Sequence, residues 1–237
     1  MNSNFEGSVN SIPSPQERKQ RVIEGLATDN IEIILDRYII SIRREMLEFL
    51  PNDFQDAPEK YLEYIFSHGQ VYKESSEKYK EQTKLVVFPE GEEMVSKMME
   101  PSKTADTRNE YVVLVSAYEE DLPTAKPIGM IIAKDIQDPS YLLMRKVAGV
   151  SGRDIEQQIT VSGKYTDEQI QGFMKVISDK NKELAERFRS KLGIDKKWGI
   201  KDLMIDYDEE TLEIKAVVPI DWERVSIYNP ESPKAVE

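Results

Sequence analysis

The chain carries no cysteine and a single histidine, His68, among 237 residues. A fold made from it therefore has no disulfide and no zinc site of the Cys/His kind. It also has no thiol nucleophile, and a Ser-His-Asp triad would have to be built on His68. The turn Ala148-Gly149-Val150-Ser151-Gly152 lacks the lysine and the spacing of a phosphate-binding loop and reads as a flexible connection. At this length the chain makes one large domain or two small ones, and either can bury a real core.

Apolar residues make up 39% of the chain and charged residues 32%. The first value is low and the second high for a globular domain, which points to much exposed surface or to area covered by partners. The net charge of −12 disfavours direct contact with nucleic acid or an anionic membrane, because both need a basic footprint. The short run Arg18, Lys19, Arg21 is interleaved with Glu17 and Glu24 and reads as a solvated helix face. No stretch has the length of apolar residues that a membrane span needs, and residues 1–13 do not resemble a signal peptide. A cytoplasmic location is expected, or a virion if the protein is viral.

Residues 1–13 and 223–237 read as polar tails, with a helical region over 14–101 and an α+β domain over 102–222. Ser14-Pro15 with Glu17 has the form of a helix start, giving a helix from Pro15 to Ala27. The strongest periodic signal runs from Ile31 to Leu50. Ile31, Ile34, Leu35, Tyr38, Ile42, Met46 and Phe49 follow three- and four-residue steps, which predicts a helix ended by Pro51. Ile33, Ile39 and Ile40 lie off that stripe and predict a second packing surface, an interface with another chain. A further helix is expected from Asp56 to about Ser67, then a short strand at Leu85–Phe88 and a Met-rich helix from Glu92 to Glu100. The β-branched run Tyr111–Tyr118 predicts a buried strand paired with Ile128–Ile136. Tyr141–Val150 is ambiguous, and Ile155–Val161 alternates like a strand. Thr166 caps a long helix with Ile170, Phe173, Met174, Ile177, Leu184, Phe188 and Leu192 on one face and Gly193 at its end. Asp202–Ile220 predicts a final hairpin. The expected fold class is α+β, with a helical N-terminal half followed by a mainly antiparallel sheet packed against the long helix.

The sharpest enzymatic pattern lies in that hairpin. Asp202 and Asp206 share one face of the first strand by the two-residue period, and Glu213 and Lys215 share one face of the second. The set resembles the acidic-x-Lys hairpin of restriction-endonuclease-like nucleases. The resemblance implies two carboxylates holding Mg²⁺ and a lysine that orients the attacking water. The competing reading is the solvated face of a hairpin whose other face is apolar. His68 sits at a helix end, where Glu63 or Glu74 would have to orient it as a base; interaction with the helix dipole explains it more simply. The clusters Glu119-Glu120-Asp121 and Asp206–Glu210 lack the spacing of a calcium loop. Met94, Met98 and Met99 form a soft apolar surface.

These features predict a non-enzymatic interaction or assembly protein, a structural component of a large complex such as a phage virion. Its partner would be another protein or further copies of itself, with no cofactor, no direct contact with nucleic acid and no membrane. The alternative is a metal-dependent nuclease or phosphodiesterase using Asp202, Asp206, Glu213 and Lys215. A third reading, an acidic decoy for a nucleic-acid-binding protein, follows from the charge alone.

Overall fold

A computed structural model describes residues 17, 20, 29–71, 83–88, 93–101 and 104–222. The expected tails lie outside the described residues, as does the helix from Pro15 to Ala27 apart from Glu17 and Gln20. The molecule is built on a seven-stranded antiparallel sheet. In chain order its strands are β1 (Asn30–Ile34), β2 (Tyr38–Arg43), β3 (Gln70–Val71), β4 (Thr83–Val87), β5 (Glu93–Met99), β6 (Pro127–Ala133) and β7 (Ser140–Arg145). Their order in space is β1-β2-β6-β7-β5-β4-β3. The β6–β7 hairpin therefore sits between a hairpin made by β1 and β2 and one made by β4 and β5. Strands from both sides of Pro101 interleave in one sheet, so the expected boundary at 101/102 runs through it.

Among the described residues the N-terminal half is mainly strand rather than helix, and this corrects the expected fold class. Ile31–Leu50 forms two strands, a turn at Leu35–Arg37 and a 3-10 segment over Arg44–Phe49. The isoleucines alternate across the pleat: Ile40 and Ile42 point into one core, while Ser41 and Arg43 point to the opposite face. Glycine is needed in the strand beside it. A Cβ on Gly129, which pairs with Ile42, would collide with the Ser41 carbonyl oxygen and the Ile42 side chain.

Three further assignments change. Glu93–Met99 is a strand, with Met94 and Val95 buried on opposite faces of the sheet. Tyr111–Tyr118 belongs to α2 (Thr104–Glu119), and Ile155–Val161 to α3 (Ile155–Ser162). Helix α2 reads like a strand because it is buried nearly all round, with Tyr111 and Val113 to Ala117 all inside. Its C-terminus closes through Asp121 in a left-handed conformation (φ 53°), and the Leu122 amide donates to the Ala117 carbonyl at 3.0 Å.

The two faces of the sheet are covered differently. On one side lie α2, α3, the long helix α4 (Asp167–Leu192) and a small sheet of β8 (Val150–Ser151), β9 (Leu203–Tyr207) and β10 (Ile214–Pro219), ordered β10-β9-β8. Thr166 and Gln169 form a reciprocal capping box at the start of α4, and Gly193 ends it at φ 67°. Ile170, Phe173, Ile177, Leu184, Phe188 and Leu192 are its buried stripe. Beyond them Trp222, 1% exposed, packs against Phe188 (5.3 Å between centroids) and Trp198 (5.5 Å). On the other side lie the 3-10 segment and α1 (Pro58–Ser67), which bury Met46, Phe54, Tyr61, Leu62 and Ile65 against Ile40, Ile42, Val86, Met94 and Leu143. No helix among the described residues is long and apolar enough to cross a membrane.

Candidate functional site

A groove opens where the β1–β2 turn meets α1. The turn closes through the Leu35 amide, which donates to the Tyr38 carbonyl at 2.9 Å. It is pinned to the β6–β7 loop by Arg37. The Arg37 guanidinium lies 2.8 Å from Asp138 Oδ1, and its carbonyl accepts from the Lys134 amide at 2.9 Å. Asp138 holds the guanidinium firmly protonated, first by the hydrogen bond and then by its charge. Helix α1 starts with Pro58 at its first turn and ends as the His68 amide donates to the Tyr64 carbonyl. Glu59, Leu62, Glu63 and Phe66 follow the i, i+3, i+4, i+7 spacing of one helix face and form one wall. Ile34, Leu35 and Tyr38 form the other.

The groove has a volume of about 570 Å³. Its floor is rigid: Phe66 stacks on Tyr141 at 4.5 Å and tilts against Tyr38 at 5.4 Å. Burial raises the Tyr141 phenol to about 12, and burial followed by the Asp138 charge raises Tyr38, so both rings present neutral hydroxyls. Ile34 stands at the edge with 69% of its surface in water. The charged rim consists of Asp36, Glu59, Glu63 and Arg37. Arg37 is engaged with Asp138, whereas none of the three carboxylates has a cationic partner among the described residues.

A second polar cluster is buried beneath α2. Lys97 Nζ lies 2.7 Å from Glu110 Oε1 and 3.6 Å from Asp221 Oδ1, and Glu110 is 2% exposed. The Asp221 carbonyl accepts from Lys196 Nζ at 2.8 Å and from Trp198 Nε1 at 3.1 Å. Burial depresses the Lys196 ammonium, against the opposing pull of Asp221 and Asp202. This cluster ties the chain at Asp221 to the large sheet, with Glu110 Oε2 buried and without a hydrogen-bond partner among the described residues.

Of the nuclease-like residues, Asp206, Glu213 and Lys215 lie toward the turn of the hairpin, Asp206 opposite Ala216, while Asp202 stands at the other end of β9. Asp202 ends the 3-10 turn before β9, and four residue steps, about 13 Å of extended chain, separate it from Asp206. Glu213 lies at the turn end of the hairpin, where its carbonyl accepts from the Asp208 amide at 2.8 Å. The register slips between Ile214 and Ala216, which leaves Lys215 in a bulge, 3.7 Å from Asp208. Among the described residues no group of three or more acidic or histidine side chains is placed to hold a metal ion.

Of the expected interface residues, Ile40 is fully buried in the core beneath α1, while Ile33 and Ile39 are half-buried and pair with Ile40 and Ile34 across the edge hairpin. His68 stacks on Tyr64 at 4.5 Å, with Nδ1 2.7 Å from Ser67 Oγ, at the exposed end of α1. The groove residues were legible only singly: the acid–apolar spacing of Glu59, Leu62, Glu63 and Phe66 was the available signal. No protein-family model, curated protein or solved structure matches this chain.

Proposed function

We propose that the protein is a non-enzymatic component of an assembly and docks another protein in the groove between the β1–β2 turn and α1. The observation that supports this is the position of Ile34. A large aliphatic side chain stands mostly in water and is continuous with the apolar walls given by Leu35, Tyr38 and Phe66. Continuity with a concave apolar wall sets Ile34 apart from an isolated exposed aliphatic residue, which carries no such meaning. The groove is lined by Ile34, Leu35 and Tyr38 and not by Ile33, Ile39 and Ile40, the residues expected from the sequence to serve an interface.

The test is sedimentation of the protein in extract of the cells that make it. The wild type is expected to travel in a species heavier than the 27.3 kDa protomer. Ile34→Asp should release it to the protomer while leaving its melting temperature unchanged. Identical sedimentation of the two proteins sinks the reading.

A further inference from the structure

We infer that the occupant of this groove is a cationic amphipathic segment of a partner protein, one that sets an apolar face into the groove and Lys or Arg against its rim. The inference rests on the docking reading above and adds to it the chemistry of the partner. Three observations lead to it.

The first is shape. The groove is open along one side, so whatever occupies it keeps a face in water. An amphipathic helix or turn meets that requirement, with apolar anchors inward and polar groups outward. The second is charge. Asp36, Glu59 and Glu63 stand exposed around the apolar walls with no cationic partner among the described residues, and the one rim cation is held by Asp138. Cations brought to this rim meet carboxylates that no other described side chain neutralises, and the pairs form beside an apolar surface from which binding excludes water. The third excludes the simplest alternative. A second copy of the chain docking through the same face would oppose two acidic rims on molecules that each carry −12. Like charges brought together across an interface are costly, which disfavours a two-fold contact through this groove.

The experiment uses the full chain and two synthetic helical peptides with the same leucine face, one flanked by lysines and the other by glutamates. Calorimetry is run at low and at physiological ionic strength. The lysine peptide is expected to bind, to weaken as salt rises, and to bind at least about tenfold more tightly than the glutamate peptide. Glu59→Lys combined with Glu63→Lys should weaken the lysine peptide about tenfold or more and leave the melting temperature in place. Ile34→Asp should abolish binding of both peptides.

Equal binding of the two peptides, no binding of the lysine peptide, or indifference to the double charge reversal overturns the cationic assignment. The docking reading survives that failure if Ile34→Asp still releases the protein from its assembly in extract. If the lysine peptide binds Ile34→Asp as well as it binds the wild type, the groove is not the site and both readings fall. A concentration-dependent dimer of the purified protein that Ile34→Asp dissolves gives the groove to a second copy and overturns the inference.

Discussion

The two faces of the large sheet solve the same problem with different completeness. One face is sealed by three helices and a second sheet, and its core contains Phe173, Phe188, Trp198 and Trp222. Among the described residues the other face is covered by one ten-residue helix and a 3-10 segment, and that cover stops short at the groove, where Ile34 is 69% exposed. Polar groups follow the same division. Beneath α2 the Lys97–Glu110 pair is nearly dry, whereas the ion pair that positions the groove, Arg37–Asp138, is exposed on its arginine side. Among the described residues the first face is closed, and the second carries the groove that we propose as a docking site. Stability and binding can therefore be altered separately by choosing the face.

The largest expected effect tests whether the sealed face dominates stability. Phe188→Ala empties the centre of the aromatic cluster and is expected to cost about 3–5 kcal/mol in urea unfolding. Phe66→Ala, at the groove floor, should cost roughly 1 kcal/mol, because its ring is only half buried. Equal losses would dissolve the distinction between the faces.

Next in size is the buried pair. Glu110→Ala strands Lys97 in the interior beside Asp221 and should cost about 3 kcal/mol. Replacing both partners with Lys97→Met and Glu110→Leu should recover most of that loss, since neither charge then remains without its partner. Failure of the double variant to recover would mean that the pair specifies the packing of α2 in a way an apolar pair of similar size cannot.

A smaller effect sharpens the comparison through pH. Tyr111, on the sealed face, accepts from Asn30 Nδ2, and its phenol is raised to about 12, mainly by burial. A tyrosine raised from about 10 holds its proton longer folded than unfolded. Its contribution is therefore complete below pH 10 and is lost as pH climbs through about 12. Unfolding free energies from urea titrations across these pH values should fall by an amount on the order of 3 kcal/mol that Tyr111→Phe removes. Tyr141→Phe on the groove side should remove less, because that ring retains contact with water.

The smallest effect belongs to the last hairpin. Glu213→Ala and Lys215→Ala should leave the melting temperature unaltered, and Mn²⁺ titration of the wild type should give no heat of binding at micromolar metal. Heat that Glu213→Ala abolishes, together with nuclease activity lost in Lys215→Ala, would restore the enzymatic alternative.

Elements with a single apolar face were legible in the sequence. Helix α4 carries a stripe of buried residues, a capping box and a terminal glycine. The elements buried on both sides were not legible. Strand β2 has Ile40 and Ile42 in one core and Ser41 and Arg43 under α2, so its apolar residues satisfy a helical step by chance. Helix α2 lacks a polar face and therefore resembles a central strand. Spacing alone held a clue in α3, where Ile155 and Ile159 are the buried residues, four apart. The groove was hidden for another reason. Ile34 and Phe66 meet only because the turn and the helix fold against the same end of the sheet, a non-local fact that no window of sequence contains.

The packing of Trp222 has a consequence for how the molecule comes into being on the ribosome. The sealed core includes Val95 at one end of the chain order and Trp222 at the other. Until residue 222 has emerged from the exit tunnel, Phe188 and Trp198 lack the ring that covers them, and Lys97 lacks its second carboxylate. The groove face needs nothing after β7 and can collapse earlier. Synthesis thus delivers every residue of the groove face before the interior behind the sheet can close, and the nascent chain passes through an interval in which the aromatic half stands open to chaperones and to aggregation.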